Sequence, residues 1–281
     1  MITFSKLGTH GRLGNQLFQY ALLKSVSLKT GKNIILDPEI NNKVWHGQKC
    51  LLQNFRLESA NYENIIFNNI YNEKEWMKYD ESVFEIKDKT DFHGFFQNRR
   101  YFDDILPTIR DELEIKKEVK NKAIHFLNKF SGVKVSLHVR RGDNSDGTNL
   151  ELQKITNDFS KDSILYNYYH RALELIPKES TILLFTGGSR NKNDNNSDIE
   201  WCKNNFKDKR IIYVEELNDI ESFCCMTLCD YNILSFLSTF SLWVGYLNKN
   251  QQIIAPHKFY PHLNVNSKDL YLSNWEVIFN E

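Results

Sequence analysis

The stretch Val133-Lys-Val-Ser-Leu-His-Val-Arg-Arg-Gly-Asp143 (VKVSLHVRRGD) changes character once along its length. Val133 to Val139 is rich in valine, which predicts a strand. Arg140, Arg141, Gly142 and Asp143 follow at once, so the charged residues sit at a carboxyl end. Further strands are predicted downstream at Thr181–Phe185, Arg210–Val214, Ile233–Leu234 and Gln252–Ala255. Helices are predicted between them at Ser163–Leu175, Ile199–Phe206, Ile220–Leu228 and Thr239–Leu247. Strands alternating with helices imply a parallel sheet covered on both faces. Such sheets bind ligands beyond the carboxyl ends of their strands. The polar run Arg190 to Asp198 (RNKNDNNSD) reads as a loop insertion.

The first half shows the same grammar less clearly. A strand is predicted at Ile2–Leu7, then a glycine-punctuated turn at Gly8–Gly14. A helix follows, with Leu17, Phe18, Ala21 and Leu22 at helical spacing. A second strand, Asn33–Leu36, completes a β-loop-α-β unit. Short strands are read at Ile65–Phe67 and Phe92–Gln97. Pro107 opens a predicted helix running to about Asn128. Ser131-Gly132 breaks it and sets the expected boundary between domains 1–130 and 131–281.

Composition narrows the function. The chain has 281 residues, 41% of them apolar, enough for one large α/β domain or two modest ones. Its 19 Phe and 13 Tyr argue for folding throughout. Lys plus Arg equals Asp plus Glu at 36 each, which favours neither nucleic acid nor an anionic membrane as partner. MITFSKLG lacks the marks of a signal peptide. No apolar run approaches the roughly 18 residues of a membrane span, although peripheral association stays open. Five unevenly spaced cysteines read as buried structural thiols in a reducing, cytoplasmic setting.

Three segments can carry chemistry. Arg140 and Arg141 offer planar forks of donors suited to a diphosphate, and Asp143 can orient one of them or meet a ribose hydroxyl. A plain strand-end salt bridge is the competing reading. Gly8 to Gln16 (GTHGRLGNQ) places Arg12, Gly14 and Asn15 between strand and helix, where glycines let backbone approach a ligand and a helix start favours an anion. A tight turn alone would use the same glycines. Ser238, Thr239 and Phe240 open the Thr239 helix, where hydroxyls either cap the helix or hold a phosphate. No Asp-x-Asp occurs in the chain, so no metal site is read from it and arginine is expected to neutralise a diphosphate.

Together these segments resemble the bacterial α-1,2-fucosyltransferases. That family's His-x-Arg-Arg-x-Asp motif is matched by His138, Arg140, Arg141 and Asp143. Its glycine-rich opening is matched by Gly11 to Ala21 (GRLGNQLFQYA). Gly94 to Gln97 (GFFQ), Ser238 to Trp243 (STFSLW), Ala255-Pro256 and Trp275 also fit, in order. Two positions depart from the pattern. Leu237 stands where the family has Asn, and Gly187-Gly188 where it has Asp-Asp. Asp198 (DIEWC) then follows the insertion.

The resemblance implies two Rossmann-like α/β halves facing across a cleft, the GT-B arrangement. It implies an inverting transfer of fucose from GDP-fucose to a glycan hydroxyl, with no metal or other cofactor. The donor is expected on the second half, contacted by His138, Arg141, Asp143, Asp198, Ser238, Thr239 and Phe240. Arg140 is expected to be catalytic. From the first half, Arg12, Gly14 and a catalytic Asn15 join it, and that half meets the acceptor. No general base is singled out among His10, His93 and several carboxylates. A protein O-fucosyltransferase, a transferase of another GDP-sugar and a non-catalytic binding module remain alternatives.

Overall fold

Short apolar runs, each followed by a loop and a helix, build two parallel sheets in the computed structural model, which describes residues 1–188, 195–249, 252–263 and 266–279. The chain divides into two units, Met1–Lys116 and Lys117–Glu281.

The first unit contains β1 (Ile2–Thr3), α1 (Leu13–Thr30), β2 (Ile34–Leu36), a β3–β4 hairpin (Val44–Trp45, Gln48–Lys49), β5 (Ala60–Tyr62), β6 (Asn69–Asn72), β7 (Thr90–His93) and α2 (Leu106–Glu112). Its five-stranded sheet runs β5-β2-β1-β7-β6, with every pairing parallel. The order reverses beside β1, between β2 and β7. Helix α1 is buried over most of its length and ends at Gly31, whose left-handed φ of 69° closes the C-cap. Glu112 of α2 accepts from Tyr20 Oη at 2.6 Å and lies 3.2 Å from Lys24, which ties the two helices.

The second unit contains α3 (Lys117–Leu127), β8 (Lys134–Arg140), α4 (Leu150–Asn157), α5 (Ile164–Glu174), β9 (Thr181–Gly187), α6 (Asn195–Asn205), β10 (Ile211–Tyr213), α7 (Asp219–Thr227), β11 (Tyr231–Ile233), α8 (Thr239–Leu247), β12 (Gln252–Pro256) and β13 (Glu276–Ile278). Its six parallel strands run β10-β9-β8-β11-β12-β13. From β8 the chain winds outward through β9 and β10, then returns to the other side of β8 with β11. This is the doubly wound order, and its switch point lies between β8 and β11. Val135, Leu137 and Val139 of β8 are fully buried or nearly so.

Several elements differ from the sequence expectations. Only Ile2–Thr3 pairs as a strand, because Ser5 N–H turns to Asp91 and Leu7 N–H to Phe4 O. Residues 65–67 form no strand, and Ile66 is exposed. The strand expected at Phe92–Gln97 stops at His93, since Gly94 has φ 150° and the next two N–H groups go to Glu73. The helix expected from Pro107 to Asn128 is two. The chain leaves α2 so that Ile115 can bridge Phe55 and Lys116 N–H can reach Asn54 O.

The same break moves the boundary from 130 to 116. Helix α3 packs on α7, with Ala123, Phe126 and Leu127 buried and Lys122 paired to Glu221. Of the insertion, 190–194 lies outside the described residues, but 195–198 opens α6 rather than a loop. Helix α4 and strand β13 were not anticipated. All five cysteines are free and buried, as read.

Candidate active site

The switch point of the second sheet brings the two specific motifs of that unit together. Arg140 is the last residue of β8, paired in register with Gly187. Its N–H donates to Ser235 Oγ at 2.7 Å, just past β11. Tyr169 Oη donates to His138 O at 3.0 Å and lies 3.1 Å from the same Ser235 hydroxyl. The backbones of both strand ends are therefore fixed before any ligand arrives. The Arg140 guanidinium donates to Gly187 O at 2.8 Å and pairs with Asp143, and its side chain keeps 15% exposure.

Arg141 turns the other way. Its side chain is 7% exposed, Nη1 donates to Thr156 O at 2.7 Å, and Nη2 donates to Asn157 Oδ1 at 2.8 Å. Its Nε lies 3.2 Å from Asp198, and its plane covers the Trp201 ring at 3.9 Å. Asp198 spends its other oxygen on Gly142 N–H at 2.9 Å. Burial raises the Asp198 pKa and lowers that of Arg141, so desolvation outweighs their mutual attraction. Both residues were expected at the donor. The structure uses them to clamp the loop after β8 onto α4 and α6.

His138 lies within β8, buried, with its ring 5.6 Å from that of Phe240. Burial, then Arg140, lowers its pKa to about 3, so the imidazole is neutral. Its Nδ1 is buried without a partner among the described residues. Ser238 caps α8, accepting from Ser241 N–H at 3.3 Å, while Thr239 and Phe240 are half-buried in the first turn. Leu237, the departure from the family's Asn, has φ 56°. That left-handed conformation suits Asn better than Leu. Gly187 and Gly188 both take positive φ at the end of β9.

The first unit assembles its motifs at the neighbouring ends of β1 and β7. Gly11 has φ 96°, and a Cβ there would lie 2.4 Å from the Asn15 amide, so only glycine fits. Arg12 occupies the N-cap of α1 and Gly14 its first turn, where it is buried. Asn15 Oδ1 accepts from Gln97 Nε2 at 2.7 Å, and Gln97 Oε1 accepts from Trp76 at 3.1 Å. Gln19 Nε2 donates to both His10 O and Gly94 O. Glu73 accepts from Phe95 and Phe96 N–H at 2.7 and 3.0 Å. Glu73, Ser235 and Tyr169 escaped the sequence reading, because each acts through a partner distant in the chain. Among the described residues no group of three or more His, Cys, Asp or Glu could hold a metal ion. No helix among them is long and apolar enough to cross a membrane.

The family model described as Glycosyl transferase family 11 matches residues 3–279. The chain belongs to that family. It is a glycosyltransferase, similar to an alpha-1,2-colitosyltransferase of Escherichia coli at 27% identity over 94% of this chain and 95% of that one. It is also similar to the galactoside alpha-(1,2)-fucosyltransferase 2 of Bos taurus, at 22% identity over 86% of this chain and 68% of that one. Among solved structures it resembles the NodZ alpha-1,6-fucosyltransferase soaked with GDP-fucose, with TM-score 0.53, 13% identity, and 88% and 92% of the two chains covered. POFUT1 in complex with GDP-fucose superposes with TM-score 0.51 at 12% identity over 89% and 94%. These likenesses show the fold: two Rossmann-like α/β halves of the GT-B type.

Proposed function

We propose that this glycosyltransferase moves L-fucose from GDP-β-L-fucose to O-2 of a galactoside, with inversion and without a divalent metal. The carrying observation is Arg140, a partly exposed guanidinium at the switch point where a doubly wound sheet takes its ligand. The donor belongs to the second unit and the acceptor to the first. An acceptor hydroxyl attacks the anomeric carbon opposite the diphosphate, through an oxocarbenium-like transition state. Negative charge builds on the departing phosphate oxygen. Arg140 donates there, exchanging its bond to Gly187 O or Asp143 for the phosphate. Asp143 positions that guanidinium in the meantime. Arg141 and Asp198 hold the loop rather than touch the nucleoside. Asn15, held by Gln97, is the catalytic candidate of the first unit.

Labelled GDP-fucose incubated with a glycan array tests donor, turnover and linkage together. Transfer to terminal galactosides is expected. Label on protein acceptors only would favour a protein O-fucosyltransferase, and GDP binding without transfer a binding module. A colitosyl donor is the second reading, favoured by the Escherichia coli relative. It predicts faster turnover of activated colitose than of GDP-fucose under the same conditions.

A further inference from the structure

The carboxyl end of β7 holds a pair that the donor chemistry leaves unused. Asp91 is buried, and its Oδ1 accepts Ser5 N–H at 2.9 Å. Its Oδ2 lies 3.0 Å from His93 Nε2. A carboxylate in that place accepts Nε2–H and leaves Nδ1 of the neutral ring as the lone-pair nitrogen. No described residue bonds to that Nδ1. The ring lines a groove of about 470 Å³ with Lys6, His10, Glu73, Trp76 and Phe95, a size in the range of small-ligand clefts. His10 stacks on Phe95 with ring centres 4.3 Å apart, and Trp76 is 39% exposed. Flat aromatic faces beside polar groups suit a pyranose ring, which has apolar C–H faces and a rim of hydroxyls. His10 is less suited to take the proton. Its ring is stacked, and burial, Lys6 and His93 all disfavour its protonation.

We propose that this groove seats the acceptor sugar and that His93 is the general base of transfer. The inference rests on the glycosyl-transfer reading above. The acceptor O–H gives its proton to His93 Nδ1, and the oxygen's electron pair forms the bond to the anomeric carbon. The bond from that carbon to the β-phosphate oxygen breaks, and its pair leaves on GDP. His93 then returns the proton to water. Asp91 is a positioning residue, which orients the ring and stabilises the imidazolium.

The test uses full-length wild type, His93→Ala, His93→Gln, Asp91→Asn and Trp76→Ala with a GDP-sugar panel and a galactoside acceptor. Both His93 variants should lose transfer by about 100-fold or more. Their GDP affinity and melting temperature should match wild type. Added imidazole should restore part of the rate to His93→Ala but not to Asp91→Asn. Trp76→Ala should raise acceptor KM by more than donor KM. Near-normal transfer by both His93 variants overturns the assignment while the transferase reading stands. So does a loss in His93→Ala that imidazole leaves untouched. If wild type transfers no sugar from any donor of the panel, both readings fall.

Discussion

The guanidinium of Arg140 is partly exposed and bonded to Gly187 O and Asp143, whereas that of Arg141 is buried against Thr156, Asn157, Asp198 and Trp201. The two neighbours should therefore fail differently. Arg140→Ala is expected to cut turnover by about 100- to 1,000-fold, the usual effect of losing one transition-state donor. Arg140→Lys should recover only part, because an ammonium cannot form two parallel bonds to a phosphate. Near-normal turnover of Arg140→Lys would refute the bidentate role. Arg141→Ala instead strands the buried Asp198 carboxylate, at a cost of about 3–5 kcal/mol. Denaturant unfolding should show that loss in Arg141→Ala and almost none in Arg140→Ala. His138 supplies a pH prediction. Its pKa falls from 6.5 to about 3 in the folded chain, so between those values the unfolded chain binds the extra proton. Its contribution to stability is complete above pH 6.5 and is lost as pH falls toward 3. The slope is about 1.4 kcal/mol per pH unit. His138→Leu should flatten that limb of the stability curve by one proton. An unchanged slope would place the acid sensitivity elsewhere.

At the scale of elements, the loop entering α1 and the loop leaving β7 form one structure through Asn15–Gln97 and Gln19–Gly94. Asn15 lies half-buried in the first turn of its helix, so Asn15→Ala should lower turnover with little change in melting temperature. A fall in activity matched by a fall in melting temperature would make Asn15 a structural residue. Helix α3 gives a second test. A fragment beginning at residue 117 should unfold cooperatively. One beginning at 131 uncovers the α7 face that Ala123, Phe126 and Leu127 protect, and should aggregate or melt earlier. Equal stability of the two would return the boundary to 130. These elements also show what sequence reveals. Helix α8 reads correctly because its Ser238 cap and apolar run are local signals. Strand β8 reads correctly because its burial is continuous. The end of α2 does not, because Ile115 leaves the helix to bridge Phe55, far back in the chain. The clamp of Arg141 and Asp198 was hidden for the same reason. Both residues are charged and follow motif positions, and only the fold shows that their partners are inside.

Over the whole molecule, the alternation of strand and helix announced parallel sheets, and each sheet places its glycine-rich or arginine-rich loop beside a reversal of strand order. On the proposed reading, that placement bears on how the leaving diphosphate is neutralised. A transferase can hold it with a divalent ion on paired carboxylates or with fixed cationic and N–H groups. Here the chain has no Asp-x-Asp, and Asp143 already pairs with Arg140 at the switch point. Asp198, in the first turn of α6, is buried and spent on Arg141 and Gly142. Among the described residues, the Arg140 guanidinium and the start of α8, whose N–H groups and dipole favour an anion, are suited to the proposed diphosphate. Turnover should accordingly persist in excess chelator, with kcat/KM changed by no more than about twofold. Added magnesium or manganese should do little beyond screening charge. Raised ionic strength should weaken donor binding in the intact enzyme. It should do so less in Arg140→Ala, which has already lost its largest favourable charge contact. Complete loss of activity in chelator, restored by either metal, would mean that carboxylates rather than Arg140 carry the leaving group.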